Sequence, residues 1–91
     1  MSKIVLYEDD HLRGKALETE GSISDLKKDG FGDKTSSILV VEGKWIVYKD
    51  ANYKGDSWIV EVNGGLYNRG VYVQPSDWGG GNDNISSLRP V

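Results

Sequence analysis

The 91-residue sequence predicts an all-β fold, a β-sandwich of two four-stranded antiparallel sheets packed face to face. Short runs of β-branched and aromatic residues recur between clusters of Gly, Asn and Asp, which is typical of strands and turns. The chain also carries an internal repeat. Because neither repeat has enough strands to cover a core alone, we expect two packed sheets.

The repeat is visible when the two halves are aligned. Residues 3–7 (KIVLY) match residues 44–48 (KWIVY) at an offset of 41, and the offset widens to 50 near the end of each unit. The second unit therefore carries a nine-residue insertion, which we place within 63–81. That segment holds six of the twelve glycines and one of the two prolines, as expected of a loop.

Within this frame the local composition predicts the individual elements. The strand-like runs are residues 4–7, 37–41, 45–48 and 58–62. Short helical turns are expected at 24–27, with Ser24 as the cap, and at 75–78. We predict one domain over 1–91, with a first unit at about 1–43 and a second at about 44–91.

Composition excludes several classes of function. The net charge is −3 and the longest basic run is Lys27-Lys28, so we expect no nucleic-acid partner. The absence of cysteine excludes disulfides, thiol catalysis and zinc-finger frameworks. The amino-terminal apolar run is too short for a signal peptide, and no window approaches the ~20 apolar residues of a membrane span. We expect a cytoplasmic monomer without a membrane partner.

Each unit contains a candidate folded hairpin. Gly14 and Gly55 each follow by seven residues the aromatic that closes the first strand, Tyr7 or Tyr48. This spacing predicts that an aromatic ring lies across the glycine, where a side chain would collide with the ring or require a disfavoured φ. Ordinary hairpin glycines are the alternative for each position alone, and the matched repetition favours the folded hairpin.

The sharpest chemical feature is a duplicated hexapeptide. Residues 82–87 (NDNISS) correspond to residues 32–37 (GDKTSS) in the first unit. Calcium takes six to eight oxygen ligands, and a turn with a carboxylate, a carbonyl and a serine hydroxyl suits that need. Turn capping by Asp and Ser is the alternative. Two such turns in register favour a cation, although each offers too few ligands alone.

These motifs together resemble those of the βγ-crystallin family over essentially the whole chain. The segments Tyr7-x4-Leu12-x-Gly14 and Tyr48-x4-Tyr53-x-Gly55 are similar to its aromatic-x4-aromatic-x-Gly hairpin. The two hexapeptides are similar to its calcium motif, Asn/Asp-Asn/Asp-x-x-Ser/Thr-Ser. The resemblance is greatest to single-domain calcium-binding members from tunicates and microbes. It implies two Greek-key motifs, one in each unit, with two Ca²⁺ ions bound at one end.

The resemblance also implies two ligand sets shared between the units. The first comprises the carbonyls of Glu8 and Lys34, the Ser36 hydroxyl and the Asp83 carboxylate. The second comprises the carbonyls of Lys49 and Asn84, the Ser86 hydroxyl and the Asp33 carboxylate. Water would complete both.

Four residues depart from the family pattern: Leu12, Gly32, Lys34 and Thr35. Leu12 replaces an aromatic, and Gly32 replaces the acid or amide that opens the calcium motif. We therefore expect two unequal sites, without a ranking between them.

The remaining polar residues predict no enzyme. His11 is the single histidine and lies in a polar hairpin, and Asp9-Asp10 and Glu18-x-Glu20 are better explained as solvated charges. A structural or lens-like role, with calcium as an incidental ligand, stays open beside a stabilising role for calcium.

A second hypothesis is a carbohydrate-binding surface. Trp45 and Trp58 lie in strand patterns and are expected in the core, whereas Trp78 is flanked by Asp77 and three glycines. Trp78 is therefore the candidate for stacking on a sugar ring.

Overall fold

The computed structural model describes residues 2–32, 34–79 and 85–91. Within these residues it contains seven strands and two 3₁₀ turns. The strands are β1 (Lys3–Asp9), β2 (Arg13–Thr19), β3 (Ser37–Glu42), β4 (Lys44–Asp50), β5 (Lys54–Glu61), β6 (Val71–Tyr72) and β7 (Ser87–Pro90). The 3₁₀ turns are Leu26–Asp29 and Pro75–Asp77. Across this described part, no helix is long and apolar enough to span a bilayer.

The predicted strands at 4–7, 37–41 and 45–48 lie inside β1, β3 and β4. The fourth, at 58–62, overlaps β5, which begins earlier and ends at Glu61. The composition did not predict β2, because its sequence RGKALET has few strand-favouring residues. This mostly exposed edge strand instead depends on antiparallel pairing with β1, from Ile4 opposite Thr19 to Asp9 opposite Arg13.

The strands form two antiparallel sheets, which we call the first sheet (β2-β1-β3-β6) and the second sheet (β5-β4-β7). Among the described residues the second sheet has three strands rather than the predicted four. The segment beside β7 makes only one bridge, in which Ile23 and Leu88 exchange backbone hydrogen bonds of 2.9 and 3.0 Å. The next carbonyl, of Ser24, accepts the Asn52 N–H at 2.7 Å, and the chain then enters the first 3₁₀ turn.

The cap of that turn also differs from the prediction. Asp25, rather than Ser24, is the N-cap, and its carboxylate accepts the Lys27 N–H at 3.1 Å. Gly30 ends the turn in the left-handed conformation, with φ of 76°. An aspartate is as good a cap as a serine, so composition alone did not distinguish the two neighbouring positions.

The core lies between the two sheets, where alternate residues of each strand point inward. Trp45 is its largest fully buried side chain, and Leu26, Phe31 and Ile85 close the core from segments outside the strands. Besides Trp45, the inward-facing strand residues of the core are Ile4 and Leu6 of β1, Ile38 and Val40 of β3, Val47 of β4, Val60 of β5, Tyr72 of β6 and Leu88 of β7. Burial of these apolar side chains is the main term that stabilises the fold.

Tyr72 joins the edges of the two sheets. It lies in β6 of the first sheet, and its hydroxyl accepts the backbone N–H of Glu61 in β5 at 3.0 Å. Burial raises the pKa of the Tyr72 phenol above its usual value of 10.0, because the ionised form loses hydration. The phenol therefore stays protonated at neutral pH.

Candidate metal centre

The first serine of each hexapeptide lies beside the end of a central strand. The Ser36 N–H donates to the carbonyl of Tyr7 at 2.8 Å, and the Ser86 N–H donates to the carbonyl of Tyr48 at 2.8 Å. The residues that follow these tyrosines are Glu8 and Lys49. These bonds therefore bring Ser36 close to Glu8 in the first unit and Ser86 close to Lys49 in the second. Each pair contains two predicted ligands, a serine hydroxyl and a backbone carbonyl.

Glu8 and Lys49 occupy irregular positions in their strands. The register of β1 with β2 shifts between Tyr7 and Asp9, and that of β4 with β5 shifts between Tyr48 and Asp50. On the other side, the pairing of β1 with β3 ends at Tyr7, and that of β4 with β7 ends at Tyr48. A bulge residue is left unpaired, and its strand bends there. Glu8 and Lys49 accordingly have no register partner in either neighbouring strand.

The second serine of each hexapeptide has a different role. The buried Ser37 hydroxyl donates to the Asp9 carbonyl at 2.6 Å and accepts the Leu12 N–H at 2.9 Å. Sequence reasoning grouped Ser37 and Ser87 with the ligand turns and missed this brace. The available signal was the pair itself, because adjacent strand residues point to opposite faces and only one hydroxyl can face outward.

The brace is repeated in the second unit. There the Ser87 hydroxyl donates to the Asp50 carbonyl at 2.6 Å and accepts the Tyr53 N–H at 3.0 Å. The paired distances agree within 0.1 Å, so the two hairpin ends have the same backbone construction.

Both hairpins fold back with left-handed residues at their tips. The φ angles are 61° and 57° at His11 and Leu12, and 61° at both Asn52 and Tyr53. His11 and Asn52 each donate a backbone N–H to a distant carbonyl, which ties the tips to the body of the domain. Leu12 replaces the aromatic expected in the first hairpin, whereas Tyr53 makes an edge-to-face contact with Tyr48 at 5.7 Å between ring centroids.

The hairpin glycines are required by backbone conformation, with φ of 81° at Gly14 and 78° at Gly55. The atoms nearest to an added Cβ belong to an aspartate and not to the predicted aromatic ring. The distance would be 2.5 Å to a carboxylate oxygen of Asp9 or Asp50. In both hairpins the glycine lies against the aspartate that follows the shift in strand register.

The remaining predicted ligands are less fully defined. Asp33, Asp83 and Asn84 lie outside the described residues. Lys34 is exposed and precedes Ser36 by two residues. Among residues 2–32, 34–79 and 85–91, no group of three or more His, Cys, Asp or Glu side chains could hold a metal ion. The predicted ligand atoms that belong to described residues are carbonyl and hydroxyl oxygens. Such oxygens are hard ligands, which suit calcium and do not suit a soft metal.

The geometry argues against the sugar-stacking hypothesis. Trp78 is only 7% exposed and belongs to the core cluster, so its ring is not available to a ligand. Trp45 is fully buried, and Trp58 packs against the core. The nomination of Trp78 is wrong because the Pro75–Asp77 turn places the following residue inward.

The chain is similar in sequence to known proteins of one family. The Beta/Gamma crystallin family model matches residues 3–91. The Beta/gamma-crystallin of Ciona intestinalis is 42% identical over 89 residues, which are 98% of this chain and 98% of that protein. The chain covers less of other relatives, for example 45% of Gamma-crystallin N from Mus musculus at 34% identity.

Solved structures with the same fold come from distant organisms. A beta gamma crystallin from Ciona intestinalis superposes with a TM-score of 0.87 at 40% identity, covering 98% of this chain and 99% of that one. A betagamma-crystallin from an archaeon gives a TM-score of 0.85 at 28% identity, covering 99% and 98%. With the family model matched over nearly the whole length, the chain belongs to the beta/gamma-crystallin family.

Proposed function

We propose that this protein is a non-enzymatic calcium-binding domain that holds two Ca²⁺ ions at the end of the sandwich where β1 and β4 finish. The observation that carries the proposal is the matched pair of serine-to-tyrosine hydrogen bonds. In both units, Ser36 or Ser86 is held by a 2.8 Å bond next to a bulge residue, Glu8 or Lys49. A serine that only capped its own turn would not need a bond beside a strand bulge, and this bond occurs in both units.

Each ion would take oxygen ligands from both units. One site would use the Glu8 and Lys34 carbonyls, the Ser36 hydroxyl and the Asp83 carboxylate, with water completing the six to eight ligands that calcium requires. The other would use the Lys49 and Asn84 carbonyls, the Ser86 hydroxyl and the Asp33 carboxylate. In this scheme every ion bridges the two halves of the chain, which favours the folded state.

Calcium that binds only the folded protein would stabilise it by mass action. A ligand that binds only the folded protein adds about 2.7 kcal/mol per site when its concentration is ~100 times the dissociation constant. A small domain has a total stability of about 5–15 kcal/mol. Calcium would then act as a structural clamp, and a monomer without nucleic-acid or membrane partners suffices for that role.

The proposal is tested by calorimetric titration of chelator-treated protein with calcium, with magnesium as the ion control. We expect two binding events, weakened in Asp33→Ala or Asp83→Ala and lost in the double variant. Ser86→Ala is expected to be milder, because a hydroxyl supplies less charge than a carboxylate. Asp56→Ala is the matched control, since it removes an exposed carboxylate from β5. Unchanged titrations in the double variant would refute the ligand assignment.

A structural role without calcium is the second candidate, and the buried core supports it. The fully buried side chains and the two serine braces stabilise the fold without any ion. A protein that gives no calcium heat and still melts at high temperature would have this structural or lens-like role.

A further inference from the structure

The chain leaves β5 through a tight turn that contains an exposed asparagine. The Gly64 N–H donates to the Glu61 carbonyl at 3.0 Å, which closes a four-residue β-turn. Neither central residue, Val62 or Asn63, has a positive φ, as in a type I turn, which favours glycine at its last position. The Asn63 side chain is exposed and makes no hydrogen bond to any residue in the described part of the chain.

Packing requires the glycine that follows Asn63. A Cβ at residue 64 would collide with the Tyr72 hydroxyl, and the Gly64 carbonyl accepts the Gly70 N–H at 2.8 Å. Asn63 is also the only asparagine in the sequence that precedes a glycine. The fold thus imposes an Asn-Gly pair on an exposed turn, and no side chain on residue 64 hinders the approach of its nitrogen to the Asn63 amide.

We propose that Asn63 is a site of spontaneous deamidation, with water as the only co-reactant. The Gly64 nitrogen, after loss of its proton, attacks Cγ of Asn63. The N–Cγ bond forms, the Cγ–Nδ2 bond breaks, and the amide nitrogen leaves as ammonia. Water then opens the succinimide ring. Cleavage of its N–Cγ bond gives aspartate, and cleavage of its backbone C–N bond gives isoaspartate, which lengthens the backbone by a methylene carbon. Either product carries a carboxylate in place of a neutral amide.

The native turn restrains this reaction. The nitrogen that must attack is bonded to the Glu61 carbonyl, and the third residue of a type I turn has a ψ of about 0°. Ring closure needs a different ψ, because the Gly64 nitrogen has to eclipse Cβ of Asn63. The turn must therefore open before the ring can form, and the rate of deamidation follows the population of the open turn.

Tyr72 controls how often the turn opens. Its hydroxyl accepts the Glu61 N–H at 3.0 Å and donates to the Glu61 carbonyl at 3.4 Å, so it holds the residue that closes the turn. Tyr72→Phe removes both contacts. Because the net worth of one hydrogen bond is lost, we expect Asn63 to deamidate about two- to tenfold faster in this variant.

Deamidation acts on the bridge between the two sheets. The extra backbone carbon of isoaspartate lies inside the turn that Tyr72 holds, and Tyr72 joins the edges of the sheets. The turn lies at the end of β5 opposite to the hairpin at Asp50 and Lys54, so the proposal does not depend on calcium binding. We expect the purified isoaspartate form to have a lower Tm than Asn63→Asp, which has the same charge and a normal backbone. Equal Tm values would refute this effect on the bridge.

The site is identified by incubating the protein at neutral pH, well below its Tm, and separating the charge variants by ion exchange. We expect an acidic species that maps to Asn63 by peptide mass and is methylated by isoaspartyl methyltransferase. Asn52 and Asn68 are internal controls that should stay unmodified, because they are exposed but precede Tyr53 and Arg69. Asn63→Gln should abolish the acidic species and Asn68→Gln should not. An acidic species that forms as fast in Asn63→Gln would overturn the assignment.

Two destabilised variants separate turn opening from global unfolding. Tyr72→Phe loosens the turn, whereas Ser37→Ala weakens the brace of the first hairpin. Acceleration at Asn63 in Tyr72→Phe alone supports opening of the turn as the controlling step. Equal acceleration in both variants would overturn the role of Tyr72. Deamidation of Asn63 that occurs in urea and is absent from the folded protein would overturn the proposed site.

Discussion

Removal of the Ser87 hydroxyl tests the brace that fixes the second hairpin. Ser87 is fully buried, and its Oγ is bonded to the Tyr53 N–H at 3.0 Å and to the Asp50 carbonyl at 2.6 Å. Ser87→Ala leaves both backbone groups without this partner while changing the volume very little. The Tyr53 ring, which contacts Tyr48, depends on the same hairpin end.

The magnitude follows from the two lost bonds. A buried donor left unpaired costs about 1–3 kcal/mol, and a carbonyl with a second lone pair costs less. We therefore expect Ser87→Ala to lower the free energy of unfolding by about 2–3 kcal/mol. At about 4–8 °C per kcal/mol for a domain of this size, Tm would fall by about 8–24 °C.

Thermal and urea unfolding, followed by tryptophan fluorescence in the presence of chelator, measure this loss without a calcium contribution. Ser57→Ala is the matched control, because Ser57 is an exposed serine of β5 in the same sheet. Its effect is expected within about 0.5 kcal/mol of zero. Ser37→Ala should match Ser87→Ala, since the first unit has the same brace. A loss at Ser87 no larger than that at Ser57 would refute the assigned role.

Three further predictions concern stability. Thr35→Val should raise the free energy of unfolding by about 1 kcal/mol, because the Thr35 hydroxyl is fully buried and has no hydrogen-bond partner within the described part of the chain. Thr19→Val, which removes a bonded hydroxyl, should give no gain in the same melts. Tyr72→Phe should cost about 1–2 kcal/mol by unpairing the Glu61 N–H, as measured by urea unfolding at pH 7. Burial raises the pKa of the Tyr72 phenol, so the stability that the protonated phenol contributes is complete below pH 10 and is lost as the pH rises through the folded-state pKa. The cost of Tyr72→Phe should therefore shrink at alkaline pH. A cost that stays constant with pH would contradict this. Gly55→Ala should lower Tm at a cost of about 1–2 kcal/mol, because φ of 78° is disfavoured for a residue with a Cβ, and an unaltered melt would contradict the folded-hairpin assignment.

The internal repeat made much of the fold predictable. Matching the two halves placed Ser36 and Ser86 at equivalent positions. In the structure both donate a backbone N–H at 2.8 Å to the carbonyl of an equivalent tyrosine, Tyr7 or Tyr48. The strongest β-branched and aromatic runs correspond to β1, β3, β4 and part of β5. These strands contribute most of the inward-facing core, so their pattern directly reflects burial.

Features that depend on tertiary pairing were not predictable from composition. The residues of β2 have a weak strand propensity, and the strand forms because β1 supplies its hydrogen-bond partners. The segment at Ile23 makes a single bridge, because the next carbonyl, of Ser24, bonds to the hairpin of the second unit. Trp78 is buried although its neighbours are polar or glycine, since burial follows from the preceding turn. The brace made by the second serine of each pair depends on contacts 28 and 37 residues apart in sequence.

The most direct test of the proposed metal centre is a crystal structure of the protein grown with calcium. We predict two ions at one end of the sandwich. One should lie about 2.3–2.6 Å from the Ser36 hydroxyl and the Glu8 carbonyl, and the other at the same distances from the Ser86 hydroxyl and the Lys49 carbonyl. Each should also contact a carboxylate from the other half of the chain. Ions bound elsewhere, or well-ordered loops without ions at saturating calcium, would contradict it.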